Sequence, residues 1–428
     1  MLYSRNIDNI TWDDVVVFCE RGIAENAYLD YKENFPNNLE KTVSAMANTF
    51  GGLIFIGVEE DKGNKPVVPV KGIKFERGHE ERIISIVLSN ISPPIIPEIK
   101  VCPDNKSENV LIIIRIPQSH QTPHAINRNT KVYIRTGSRN DASELEDFAT
   151  LDRIDWLKEN RRKSEILKNI LVEQAETRIR KIYAEEKLKQ GGEVAQLEKN
   201  YRGELRLPLA VLSISMCPLY PKEAFMTPPE INRLYEKIRV PEYLGSSDSF
   251  PLPTRSQGII VSDGSCNSLV FKNGEIGFWH TELNIFGLYF YKQSCLRRYR
   301  GNNETIWVIY AEELFCRLDE YIDSATKFYE IIGYQGMLEF KICLENINEE
   351  GYVVSLAKWP NDGFFPHDRL SSSLDKQIAF SDIVLAGALV DAKIPLIYNS
   401  AKRIAWTFGW DLNEAIIDDY YKKSKKGS

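Results

Sequence analysis

No run of apolar residues in this 428-residue chain approaches the 18 or more that a membrane-spanning helix requires, and the longest candidates, such as residues 110–116, are strand-sized. The first nine residues are mixed polar and charged and hold no apolar signal core, so the sequence predicts a cytoplasmic protein with no membrane partner. Cys-x-x-Cys is absent. The seven cysteines (Cys19, Cys102, Cys217, Cys266, Cys295, Cys316 and Cys343) are odd in number and scattered, which argues against a disulfide framework and a zinc finger and for reduced thiols. Gly-x4-Gly-Lys-Ser/Thr occurs nowhere, so nothing supports an ATPase. Internal repeats are missing as well. So is any overall basic excess, the net charge being −6.

What is present is the composition of a soluble globular protein, 43% hydrophobic and 27% charged, in a chain long enough for two or three domains. Charge is unevenly divided: −4 over residues 1–150, +3 over 151–206 and −5 over 207–428. Any contact with nucleic acid would therefore depend on local basic patches.

Thr11, with Asp14 three residues on, predicts a capped helix whose buried side begins at Val15, Val17 and Phe18. Residues 28–32 alternate like a strand, with Tyr28, Asp30 and Lys32 on one face. A second helix is expected over 39–50, stopped by Gly51-Gly52, then a buried strand over 53–58. A helix near 80–89 and strands near 110–116 and 131–135 complete a mixed α/β region closing near residue 150. Residues 151–206 read as a helical connector outside either core, with a short stripe at Leu167, Ile170, Leu171 and Ala175, that could turn back at Gly191-Gly192. From Leu207 a second region alternates strands (258–261, 269–271, 276–280, 285–291 and 337–344) with a long helix over 311–331. A last helix is expected over 413–421, and a solvated basic tail over 422–428. The fold class expected is α+β, with an N-terminal domain (1–150), a helical connector (151–206) and a C-terminal α/β domain (207–428).

Three ordered motifs stand in the first region. Glu25-Asn26-Ala27-Tyr28-Leu29-Asp30-Tyr31-Lys32 precedes Ser44-Ala45-Met46-Ala47-Asn48-Thr49-Phe50-Gly51-Gly52, and Leu53-Ile54-Phe55-Ile56-Gly57-Val58-Glu59-Glu60 follows. Farther on come Pro123-His124 and Val132-Tyr133-Ile134-Arg135-Thr136-Gly137-Ser138. This series resembles the Schlafen AlbA-like domain over about a third of the chain. The resemblance implies a nucleic-acid-processing role, with three carboxylates falling on Glu25, Asp30 and Glu60. At 30 the family more often has Glu, and at 60 Asp. It also implies a metal-dependent endoribonuclease that cleaves tRNA or other structured RNA, in an antiviral or stress-defence setting. The animal relatives pair two lobes around RNA, whereas this chain holds one such domain, so a homo-oligomer is expected, and an activating partner subunit remains open.

The residues themselves point the same way. Phosphodiester hydrolysis needs charge neutralisation and an activated water, which carboxylate-held Mg²⁺ or Mn²⁺ supplies. Read without the family, these acids are solvated charges at strand ends. Glu59 and Asp61 are close enough to stand in for Glu60. Lys32 is a candidate phosphate contact or a surface cation. Arg128, Arg135 and Arg139 flank one strand and either grip phosphate or are scattered surface arginines. His120 and His124 have ligand-like spacing, but a loop without cysteine partners favours a turn or an RNA contact over zinc. The aromatics Phe278, Trp279, Tyr289, Tyr291 and Tyr329 read as core rather than base-stacking surface. The competing function is a DNA- or RNA-binding regulator or sensor subunit without turnover, which the acidic overall charge favours.

Overall fold

Thr11 opens the first helix as the sequence suggests. Its hydroxyl accepts from the Asp14 N–H at 3.3 Å while the Asp14 carboxylate accepts from the Thr11 N–H at 2.9 Å, and α1 (Trp12–Glu20) follows from this reciprocal cap. The computed structural model describes residues 7–416 apart from 105–107, 118, 120, 129–130, 137–138, 143–146, 190–209, 220, 222–223, 242–248, 252–257, 274, 296, 302–303, 335, 350–351 and 358–369. His120, Gly137, Ser138, Gly191-Gly192 and the basic tail therefore lie outside the described residues. The chain is α+β and divides into two compact units, Met1–Lys163 and Ser164–Ser428.

In the first unit, β1 (Leu29–Lys32), α2 (Leu39–Asn48) and β2 (Gly52–Ile56) are followed by β3 (Ile73–Lys74), α3 (His79–Asn90), β4 (Ile91–Ser92), β5 (Glu98–Pro103) and β6 (Asn109–Ile116). β7 (Ala125–Ile126), β8 (Lys131–Thr136) and β9 (Arg139–Ala142) complete it. The larger sheet runs β1-β2-β6-β3, with β5 also paired to β6, and a smaller one runs β4-β7-β8-β9. β1 lies parallel to β2, with Asp30 opposite Ile54 and Lys32 opposite Ile56. β6 is hydrogen-bonded along both edges and buried over most of its length, which is why Val110-Leu111-Ile112-Ile113-Ile114 shows no polar alternation. The core packs Leu39, Val43 and Met46 of α2 and Ile83 and Val87 of α3 against Ile54, Ile56, Ile112 and Ile114.

Gly51 ends α2 as expected: at φ +73° it donates to Met46 O at 2.7 Å, a left-handed stop that a side chain would strain. At Gly52 the reason is closeness, because a Cβ there would lie 2.6 Å from the carbonyl oxygen of Tyr28, the residue before β1.

α4 (Asp147–Lys189) is one helix, and the division between the units falls inside it. The expectation that this segment stands outside both cores is corrected. Leu171, Ala175, Ile179 and Tyr183, four residues apart, form a buried stripe clustered with Val211, Phe278, Leu288 and Phe290 of the second unit. Four-residue spacing over three turns makes this a packing face, which extends the stripe expected at Leu171 and Ala175 to Ile179 and Tyr183.

The second unit is built on a seven-stranded sheet ordered Ile259–Val261, Gly264–Asn273, Glu275–Asn284, Tyr289–Ser294, Val211–Pro218, Met337–Glu345 and Gln377–Leu385. The expected helix is found at Ala311–Ile331, and Tyr289, Tyr291 and Tyr329 are buried, as core aromatics. A helix at Leu389–Thr407 was not expected. Pro395 interrupts its pattern, but burial of Leu389, Ala392, Leu396, Ile397, Ala401 and Ile404 holds it together. Of the predicted terminal helix, residues 414–416 are helical, and the remainder from 417 lies outside the described residues. Among the described residues no helix is long and apolar enough to cross a membrane.

Candidate functional site

The first of the three motifs begins where the chain enters β1. Glu25 is held by its backbone, its N–H donating to Asn64 O at 2.7 Å, and by its side chain, whose Oε1 accepts from the Tyr31 N–H at 2.6 Å. The five-residue step from Glu25 to Asp30 folds the acid-bearing loop back over its own strand. At the end of β1, Lys32 O accepts from both Gly57 N and Val58 N, so the strand that closes on Glu59 and Glu60 is pinned beside Lys32. Gly57 makes this possible: at φ +100° a Cβ would lie 2.8 Å from Gly72 Cα.

Asp30 is not on a solvated strand face. It is 2% exposed, and its Oδ1 accepts from the Arg135 guanidinium at 2.6 Å while Lys32 Nζ lies 2.8 Å from Oδ2. Arg135 also donates to Asn26 O at 3.0 Å and Leu29 O at 3.1 Å, and its side chain is fully buried. The phosphate-gripping expectation for Arg135 is therefore corrected: its side chain is buried, with Nε and Nη2 turned inward onto β1 and its approach. The second motif explains how this arginine is aimed. Asn48 donates to His124 O and Tyr133 O, both at 2.9 Å, accepts from His124 N at 2.8 Å, and Thr49 Oγ1 accepts from Arg135 N at 2.9 Å. Ala-Asn-Thr is thus a clamp from the end of α2 to β8. No local pattern announces it, because its partners lie some 76 to 86 residues away.

Lys32 reaches from the pair toward solvent, its side chain 30% exposed. Its Nζ donates to Tyr31 O at 2.7 Å and stands 3.5 Å from Glu25 Oε1. Burial works against the lysine's charge, yet Asp30, with Glu25 and Glu60 behind it, wins and raises its pKa. Glu25 is pushed up to about 7: burial is the main cause and the Asp30 charge the next, opposed by the Tyr31 N–H and by Lys32, with Glu60 adding repulsion. Glu60 is exposed on the loop, where its backbone bridges to Pro66. The neighbouring acids are committed elsewhere. Glu59 pairs with Lys71 at 2.6 Å, and Asp61 accepts from the N–H groups of Gly63 at 2.8 Å and Lys65 at 2.9 Å, bonds that lower its pKa.

The Mg²⁺ or Mn²⁺ expected at Glu25, Asp30 and Glu60 does not fit this arrangement. Asp30 is covered by two cationic side chains, Glu25 accepts a backbone N–H, and Lys32 occupies the space between them. Among the described residues no group of three His, Cys, Asp or Glu could hold a metal ion. Arg128 is exposed on the turn before β8 and could meet a phosphate; Arg139 lies in β9, its side chain outside the described residues. His124 is a buried turn residue, its Nδ1 2.7 Å from Pro93 O and its pKa lowered by burial.

The family model described as "Schlafen, AlbA_2" matches residues 25–144, which include the whole cluster. No curated protein matches the chain. Among solved structures, it is similar to the N-terminal domain of a RecG-related protein from Nitrosomonas europaea, at 17% identity and a TM-score of 0.25, covering 32% of this chain and 96% of that one. It is also similar to the DIP2311 protein from Corynebacterium diphtheriae, at 14% identity and a TM-score of 0.20, covering 30% of this chain and 25% of that one. The chain thus spans about a quarter of the length of the second. The family match supports a nucleic-acid-related function for the N-terminal region.

Proposed function

We propose that the N-terminal unit binds RNA, tRNA-like or otherwise structured, and cleaves its phosphodiester backbone at the cluster of Glu25, Asp30 and Lys32. In this reading Glu60 lies at the rim, and Arg128 and Arg139 extend the phosphate contact. One observation carries it: a nearly buried carboxyl, its pKa raised by burial, stands 3.5 Å from a partly exposed ammonium, a pairing suited to moving a proton at a phosphate. Asp30 acts as an anchor that orients Lys32. A role in antiviral or stress defence, assembly as a homo-oligomer and activation by a partner subunit extend the same reading. So does a divalent cation, if it joins the site only with the substrate phosphate.

The test is incubation of the full chain with tRNA, rRNA, single-stranded DNA and duplex DNA, with Mg²⁺, with Mn²⁺ and with chelator. Cleavage of RNA that falls at least ~100-fold in Glu25→Gln is the expected result, since a general base contributes at least that much. Undiminished cleavage by the variant would remove the site from the reaction. The pairing of Asp30 with Arg135 and Lys32 favours one second reading, a binding regulator without turnover. Gel shifts with RNA or DNA and no products under any condition would establish it.

A further inference from the structure

We infer, on the reading just given, that the cluster cleaves RNA through the neighbouring 2′-hydroxyl, with Glu25 taking the proton and the Lys32 ammonium standing where a divalent cation would. Lys32 Nζ is fixed by Tyr31 O at 2.7 Å and Asp30 Oδ2 at 2.8 Å, with Glu25 Oε1 at 3.5 Å. A hard cation binds carboxylates that are free to turn toward it. Here one carboxylate is locked by Arg135, and the charge facing outward is already a tethered cation. The side chains of Glu25 and Asp30 are 6% and 3% exposed and that of Lys32 30%, so an arriving phosphate meets the ammonium first. Tyr31 N–H and Lys32 Nζ both approach Oε1 of Glu25, which leaves Oε2 without a hydrogen-bond donor among the described residues.

The step balances without a further reactant. Glu25 takes the 2′-hydroxyl proton, the 2′-oxygen bonds to phosphorus, and Lys32 offsets the charge gathering on the non-bridging oxygens. The bond from phosphorus to the 5′-oxygen breaks. The leaving oxygen takes a proton from water, and Glu25 returns its own to the hydroxide so formed. The products are a 2′,3′-cyclic phosphate and a 5′-hydroxyl. DNA, lacking the nucleophile, is not cut.

Full-length protein would be incubated with tRNA in EDTA and the product ends mapped, alongside an RNA oligonucleotide carrying one 2′-deoxy sugar at the mapped position. Cyclic phosphate ends formed in EDTA, with the deoxy oligonucleotide uncut, are expected. Lys32→Ala should slow cleavage by ~100-fold or more, and Lys32→Arg should recover part of it. If Lys32→Ala fails to fold, as a thermal melt would reveal, the end chemistry of the parent protein still decides. An absolute need for Mn²⁺, with 5′-phosphate ends and a cut deoxy substrate, would overturn this inference and leave the cleavage site standing. No cleavage of any substrate would overturn both.

Discussion

Lys32 in the first unit and Lys292 in the second each sit between two carboxylates, yet their order of burial is reversed. Lys292 is 1% exposed and donates to both oxygens of Glu176, at 2.7 and 2.8 Å, and to Glu345 at 2.7 Å, while those acids are 21% and 31% exposed. There the cation is inside and the anions reach water. Around Lys32 the anions are inside and the cation faces out. The first arrangement ties α4 to a sheet with all three ammonium protons used. The second holds its acids behind a positive charge that faces solvent. Which member of an ion cluster is buried thus distinguishes the two better than the presence of charges does.

The largest effect should come from Arg135→Met. It leaves the Asp30 charge buried with one cation fewer and should cost about 3–5 kcal/mol in urea unfolding. Lys292→Met should cost less, about 1–2 kcal/mol, because Glu176 and Glu345 can turn to water when the ammonium is gone. Equal losses from the two variants would break the comparison. A pH series on Glu25→Gln sharpens it. The folded-state pKa of Glu25 lies above its ordinary value of 4.5, so ionising it costs stability, from nothing below about 4.5 to the full cost above about 7. The variant should therefore gain about 1–3 kcal/mol above pH 7 and match the parent near pH 4. A variant less stable than the parent at pH 8 would show that the carboxylate is a structural tie after all. The smallest effect belongs to the exposed Glu59–Lys71 pair: Lys71→Ala should leave the urea midpoint unchanged within error.

Much of the first unit could be read from local signals. The Thr11–Asp14 cap, the Gly51 stop and the apolar β6 each depend on residues near in sequence, and the step from Glu25 to Asp30 marks the two acids that flank Lys32. What was not legible depends on distance. Nothing near Asp30 reveals that Arg135 will bury it, so a strand face that alternates like a solvated one is sealed. Arg135 itself reads as a surface arginine until Asn48 and Thr49 are seen to aim it inward. In the second unit, Leu389–Thr407 was hidden by Pro395, whose helix-breaking tendency tertiary packing overrides. The charged α4 hid its stripe for a similar reason: its packing face becomes clear only against the sheet it covers.

The pairing of Asp30 with Arg135 also sets a timetable for the nascent chain. The two are 105 residues apart. At 5–20 residues per second the ribosome adds that stretch in about 5–20 s, and for that interval Asp30 has no Arg135 to receive it. Lys32 and Glu25 emerge with it, but the strand that supplies the guanidinium, and the clamp that orients it, are still unmade. Translation products released before residue 135 would carry the acids of the cluster without its anchor. The pair can form only once β8 has left the exit tunnel, while more than half of the chain is still to be made.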